Sequence, residues 1–424
     1  MSRVVVIGAG AMGLATAYHA LKRGHEVTVL EAAPEAGGMA AHFDLGGLSI
    51  ERYYHFVCKA DQSTFDLLAE LGLGDKMRWV PTSMGYYIDG KLYPWGDPLS
   101  LLTFPKLSLI EKLRYGAMMF FSTRRRDWRS LENVSAKDWI TRWCGSAVYR
   151  RLWAPLFRLK FFEYAENISA AWIWTRIKRV GTSRRSLFQE ELGYIEGGSE
   201  TLVHALARAI EMKGGTLRLN APVTRVETVG GRVTGVTAGS EFFAADAVVS
   251  TVPTPYVSRI VPDLPERARY DAIANIGVVC VVFRLKRSVT PHFWVNISDP
   301  NFEIPGIVEF TNLRPAGDTV VYIPYYMPVS HEKFARDDAF FRAEGFGYLK
   351  MLNPALSEDD VVAFYVGRLR HAQPVCPPGF AAMLPAVETS IKGLQIADTC
   401  FYYPEDRGIS ESVRFGRLMA ERVP

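Results

Sequence analysis

Three observations predict an α/β fold of two domains for this chain. Its first thirty-one residues run strand, glycine turn, helix, strand. A second apolar strand ending in an acid, followed by a helix, closes the sequence at Gly393 to Arg422. The length, 424 residues, exceeds what one ordinary core organises.

The opening unit reads as a nucleotide clamp. Val4 to Ile7 is an apolar run suited to a buried parallel strand. In Gly8-Ala9-Gly10-Ala11-Met12-Gly13 the glycines allow a tight turn and let backbone N–H groups approach a pyrophosphate at a helix N-terminus. Leu14, Ala17, Tyr18 and Leu21 recur at helical spacing, and Arg23-Gly24 ends the helix. Glu26 to Leu30 is the next strand. Glu31 follows about twenty residues after the glycines, where a carboxylate can accept both hydroxyls of an adenosine ribose.

Composition narrows the class. Nearly half the residues are apolar and 22% are charged, as in a folded globular protein. No apolar run approaches the roughly eighteen residues of a membrane span. With no signal peptide before the first strand, a cytoplasmic location is expected. The five cysteines are scattered without Cys-x-x-Cys or His pairing, so neither a disulfide framework nor a metal site is indicated. Net charge is +4, but the stretch from Lys106 to Arg185 holds eighteen Lys/Arg against six Asp/Glu.

After Glu31, the paired Gly37-Gly38 followed by Met39 can bring backbone donors to a second phosphate. Glu51 to Phe56 crowds polar and aromatic side chains together. Residues 63 to 71 form a short helix, and Tyr86 to Tyr93 is a hairpin turning at Asp89-Gly90. From about Leu99 to Arg185 the pattern is helical, aromatic and basic, with a capping box at Ser108 and Glu111. Gly197-Gly198 precedes a helix from Glu200 to Lys213. Short antiparallel strands from Thr216 then feed a buried strand that stops at Pro253. Ile276 to Leu285, Phe293 to Ile297, Gly306 to Thr311, Thr319 to Tyr326 and Val361 to Leu369 read as five strands of a second sheet, interrupted by a helix over about 337 to 352. Ala397-Asp398 ends the last strand, and Gly408-Ile409-Ser410 opens the last helix.

The clamp with Glu31, the Gly37-Gly38 pair, the Gly197-Gly198 helix, the Val223 strand, the Ser250-Thr251-Val252-Pro253 end and the Ala397-Asp398 unit occur in that order over nearly the whole chain. Together they resemble the FAD-dependent flavoproteins that include amine oxidases, protoporphyrinogen oxidases, phytoene desaturases and UDP-galactopyranose mutase. The resemblance implies a discontinuous Rossmann-like FAD-binding domain from residues 1–58, 189–258 and 374–424. It also implies a substrate domain with a helical cap over 59–188 and a mixed sheet over 259–373. Gly8, Gly10, Ala11, Met12 and Gly13 would carry the pyrophosphate, Glu31 the ribose, Val223 the adenine, and Asp398 the ribityl chain or phosphates. Gly408, Ile409 and Ser410 would aim a helix N-terminus at the flavin.

Two departures bear on the chemistry. Met39 stands where the family commonly has arginine. Val279 is the expected match for a lysine that, in amine oxidases, hydrogen-bonds a water near the flavin, which favours desaturase-like or mutase-like chemistry over amine oxidation.

Five side chains are catalytic candidates. His55, whose unperturbed pKa lies near neutrality, could shuttle a proton. Glu309 could project into the substrate cavity as a base. Tyr325 and Tyr402, together with Tyr322, Tyr326 and Tyr403, could wall the site, and Arg407 is placed for an anionic flavin or substrate. The basic aromatic cap has two readings: peripheral contact with an anionic membrane, or a substrate domain whose cations take an anionic substrate. Nucleic acid is not an expected partner, and nothing in the sequence sets an oligomeric state. The expected function is FAD-dependent removal of hydride from a carbon of an apolar, isoprenoid-like or porphyrinogen-like small molecule. The alternatives are a non-redox isomerase acting on a nucleotide-sugar and a non-enzymatic prenyl-binding escort protein.

Overall fold

The computed structural model describes residues 1–424 and contains two principal sheets. The first is wholly parallel and five-stranded, in the order Thr216–Arg218, Glu26–Leu30, Arg3–Ile7, Ala247–Ser250, Leu394–Ile396. Val4 to Ile7 lie at its centre and are buried, as a continuous apolar run in a parallel sheet should be. The helix Ala11–Lys22 packs on this sheet between Ser199–Met212 and the closing helix Ile409–Glu421. Three distant stretches of sequence thus contribute strands to one sheet.

The second sheet has seven strands, in the order Val361–Pro374, Asn275–Leu285, Thr319–Met327, Gly306–Glu309, Trp294–Ile297, Met84–Ile88, Lys91–Trp95. The five expected strands are present, with small boundary differences. The addition is the hairpin Met84–Ile88 with Lys91–Trp95, which sequence order had assigned to the cap segment. It pairs in parallel with Trp294–Ile297. Its turn is the expected one, with Asp89 and Gly90 both at positive φ (51° and 72°).

Side-chain alternation divides this sheet into two environments. Val279, Val281, Phe283, Val321, Ile323 and Tyr325 pack against Phe341, Phe346 and Leu349 of the helix Asp338–Leu352. Val278, Cys280, Pro324 and Tyr326 face the other way, into a large cavity. The cap helices Ala154–Phe161 and Ala170–Thr182 add Lys160, Thr175, Arg176, Arg179 and Val180 to the wall, and the cap helices Leu109–Arg124 and Ala136–Cys144 lie outside it. The Ser108 hydroxyl accepts from the Glu111 N–H (3.3 Å) while the Glu111 carboxylate accepts from the Ser108 N–H (2.8 Å), the predicted box.

The closing helix lies against the first one with almost no clearance. A Cβ on Gly416 would stand 2.7 Å from the Ala15 Cβ and 2.7 Å from the Met12 carbonyl oxygen. Gly416→Val should therefore cost about 1–3 kcal/mol through overpacking. The expected result is a lowered urea midpoint with native-like circular dichroism; an unchanged midpoint would contradict this packing.

Candidate functional site

The cavity of about 1120 Å³ runs from the glycine turn to the second sheet. That exceeds a single drug-sized pocket and leaves room for a cofactor and a substrate end to end. At the nucleotide end, Gly8 has φ 99° and donates its N–H to the Leu30 carbonyl (2.8 Å), which turns the chain off the central strand. A Cβ on Gly13 would lie 1.9 Å from the Gly8 carbonyl oxygen, so this glycine lets the helix seat on the turn; it is not part of the cavity wall. Gly10, Ala11 and Met12 are. Nothing stands within 4 Å of a Cβ built on Gly10, which leaves an open floor. The Gly37-Gly38 loop is tied alongside, Gly37 donating its N–H to the Ala9 carbonyl (2.8 Å), with Met39 following on the wall.

Glu31 is fixed before any ligand arrives. One carboxylate oxygen accepts from the Ala9 N–H (2.7 Å) and the other from the Ala33 N–H (2.8 Å). It lines the cavity together with Val223. This pre-set carboxylate, the open floor at Gly10 and the uncapped helix N-terminus beside it fit the adenosine and pyrophosphate of the expected FAD.

At the other end, Gly408 and Ile409 begin the closing helix, with no side-chain cap to occupy its first N–H groups. Those groups and the helix dipole favour negative charge. Ser410 turns instead into a smaller cleft with Asp61, Arg179 and Glu411. Asp398 lines the main cavity while its carboxylate accepts from the N–H groups of Thr254 (2.7 Å) and Cys400 (2.8 Å); burial raises its pKa. Tyr402 also lines the cavity and donates its hydroxyl to the Ser412 oxygen (2.8 Å).

His55 is on the wall with Nδ1 buried and unpartnered. Burial pushes its pKa down to about 4, so the ring is neutral at physiological pH. Arg407 is not a surface cation. It donates to the Tyr326 hydroxyl (3.1 Å), and its Nη1 is buried with no partner.

Two catalytic candidates lie elsewhere. Glu309 does not reach the cavity; its carboxylate is turned into the loop between the strands Asn275–Leu285 and Trp294–Ile297, accepting from the Ser288 hydroxyl (2.6 Å) and the N–H groups of Val289 (3.1 Å) and Thr290 (2.7 Å). It holds that loop shut. Tyr325 points into the opposite layer, its ring centroid 5.2 Å from that of Phe341, and its neighbour Tyr326 takes the cavity position. The same alternation removes Val279 from the site and presents Val278 and Cys280.

Sequence reasoning passed over Lys160, Arg176, Trp294, Asn296 and Arg259, all on the wall. Arg259 comes from the short helix Val257–Ile260, beside the Val223 strand, and brings a cation to the cofactor half. Lys160 was visible only as one cation in an aromatic, basic stretch. Its position between Phe157 and Phe161, which are buried, was the available signal that it points inward.

Two outcomes follow. Glu31→Ala should weaken FAD retention about tenfold or more, the size of a hydrogen bond to a charged group, read by fluorescence titration of the apoprotein; unchanged retention would remove Glu31 from the clamp. Glu309 titrates near 7 because burial raises it above its ordinary 4.5. The folded state then holds more protons than the unfolded chain between about 4.5 and 7, and stability falls as pH rises through that window. Glu309→Gln should flatten this slope in urea unfolding at pH 5 and 7.5.

Known proteins share sequence and fold with this chain. A protein of Mycobacterium tuberculosis named as the flavin-containing monoamine oxidase AofH is 26% identical over 289 residues, 64% of this chain and 61% of its own length. The zeta-carotene desaturase of Solanum lycopersicum is 26% identical over 320 residues, 67% of this chain and 54% of its own. The aligned region thus spans little more than half of these relatives. A crystal structure from Exiguobacterium sp. 255-15, described as a protoporphyrinogen oxidase, shares the fold at a TM-score of 0.75 with 18% identity, covering 99% of this chain and 98% of that one. The family profile for flavin-containing amine oxidoreductases matches residues 13–341, well over half of the sequence, and the chain belongs to that family.

Proposed function

We propose that the protein is an FAD-dependent oxidoreductase that removes hydride from a carbon of a largely apolar substrate. The observation that carries this reading is the continuity of the cavity: the nucleotide clamp and the uncapped helix at Gly408 open into one chamber walled by Tyr54, Phe293, Trp294 and Tyr326. Bound FAD supplies the hydride-accepting chemistry.

The chain supplies position and field. The N-terminus of Ile409–Glu421 and the Arg407 guanidinium place positive potential at one end of the chamber. The aromatic wall excludes water and holds a flat or apolar substrate. His55, neutral with an unpartnered Nδ1, serves as a hydrogen-bond partner at the site, not as a fixed cation. On the strand Asn275–Leu285, the inward residues Val278 and Cys280 offer no charge to organise a water. This supports dehydrogenation of an apolar carbon over oxidation of an amine.

An exposed apolar patch on the cap supports membrane contact and a lipid-soluble substrate. On the cap, Leu109, Ile110 and Leu113 are 65%, 70% and 62% exposed, alongside exposed Leu99, Leu102, Phe120 and Phe121. Lys106, Lys112 and Arg124 to Arg126 border them. Apolar residues rimmed by cations suit shallow insertion into an anionic leaflet. No helix is long and apolar enough to cross a membrane.

Anaerobic mixing of the yellow protein with isoprenoids, porphyrinogens and amines tests the chemistry. Flavin bleaching by an apolar substrate and not by amines is expected; a protein that never takes up FAD refutes the reading. For the surface, the protein should float with anionic liposomes at low salt, and Ile110→Glu with Leu113→Glu should leave it in the soluble fraction. Wild-type protein recovered wholly soluble would count against membrane contact.

A further inference from the structure

One end of the chamber gathers half-buried basic side chains whose donors the protein does not fully satisfy. Five Lys/Arg side chains line the cavity along with the carboxylates of Glu31, Glu190, Asp398, Glu405 and Asp406, and two of the five cations are paired with carboxylates. Arg179 is paired with Asp61 through Nε to Oδ1 (3.0 Å) and Nη2 to Oδ2 (2.6 Å). Arg176 is paired with Asp406, although its Nε is buried without a partner. Lys160 makes no hydrogen bond or ion pair within the protein, and Arg407 finds only the neutral Tyr326 hydroxyl. Asp406 keeps one free oxygen, Oδ1, but its single charge cannot match Lys160, Arg176 and Arg407 together.

These three cations converge although they come from separate segments. The Lys160 Nζ lies 4.9 Å from the Tyr326 ring centroid and 5.4 Å from that of Trp172. The Arg176 guanidinium stacks on the same Trp172 at 3.8 Å, and that of Arg407 lies 5.9 Å from the same Tyr326. Aromatic faces offset part of the desolvation of buried cations, but they satisfy none of their N–H donors. Lone surface cations can point into water; these point into the chamber.

We infer that the substrate carries an oxyanion, a carboxylate or a phosphate, which seats among Lys160, Arg176 and Arg407 while its apolar body lies along the aromatic wall. This rests on the oxidoreductase reading only for the substrate's fate, not for its charge. A planar guanidinium and a flexible ammonium together match either oxyanion. A protonated amine would meet like charge at the same place, which makes this chamber opposite in sign to what a cationic amine requires.

Proton uptake provides a second signature. Burial, with Arg176 and Arg407 beside it, holds the Lys160 ammonium well below lysine's usual pKa, while Asp406 acts in the other direction. The other group facing it is Tyr326, from the sheet. An arriving oxyanion favours the charged amine, so binding should take up a proton.

The test uses the full-length, FAD-loaded protein titrated with decanoate, decyl phosphate, decylamine and decanol. The flavin spectrum and calorimetry in two buffers of different ionisation enthalpy are the readouts. At least one anion should bind ten times or more tighter than decanol, with proton uptake, and decylamine should bind weakest. The better of the two anions identifies the head group. Lys160→Met should lose the anion preference about tenfold while keeping FAD content and decanol affinity, and Arg407→Gln should lose the anion preference about tenfold. Decylamine binding as tightly as the anions, no preference among the four, or a Lys160→Met protein that keeps its preference with FAD bound would each overturn the assignment. The wild-type series decides the matter even if a variant does not fold. A colourless protein would count against the oxidoreductase reading, whereas a yellow one that prefers decylamine would count against the oxyanion alone.

Discussion

The structure depends on one close approach: the Gly8 carbonyl oxygen sits where a Cβ on Gly13 would be 1.9 Å away. Because that Cβ is missing, the first helix seats directly on the turn and presents its N-terminus to the cavity floor. The seated helix then fixes its neighbours. Gly416 of the closing helix fits under Met12 and Ala15, and the Gly37 loop ties to Ala9. Two ends of the chain, about four hundred residues apart, are in this way held against a single glycine turn. Glu31 and Gly408, at the two ends of the cavity, both depend on this contact.

The second constraint is electrostatic. The chamber is apolar enough to shed water, yet it retains cations whose partners the protein does not supply in full. Buried donors without partners are costly, and the Arg176 Nε and the Arg407 Nη1 are two of them, close to the same two aromatic rings as Lys160. Glu31 and Asp398 illustrate the opposite case. Each carboxylate is buried or half-buried but accepts backbone N–H groups, and each holds a loop in place as well as facing the cavity.

Much of the fold was legible because its elements carry local signals. The strand of Val4 to Ile7, the glycine turn, the Ser108 capping box and the Asp89-Gly90 hairpin are set by near neighbours in the chain. The partner of that hairpin was not legible, since parallel pairing with Trp294–Ile297 joins residues some two hundred apart. Phase was the other loss. Telling Tyr325 from Tyr326, and Val279 from Val278 or Cys280, turns on a one-residue shift on strands buried on both faces, where no polar alternation marks which face is which. Glu309 misled for a related reason: an acid at a strand end in an apolar sheet looks catalytic, but it was satisfied by the adjacent loop.

The sequence by itself determined the parallel sheet and the glycine turn with Glu31 beside it, because glycine spacing, apolar runs and a terminal acid act over short range. It also determined the charge excess of the cap segment. Only the tertiary structure decided which of those charges turn inward, since Lys160, Arg176 and Arg407 meet solely through the packing of two cap helices against the sheet and the closing loop. Composition counts charges without regard to direction, and burial depends on contacts between segments that the linear order keeps apart.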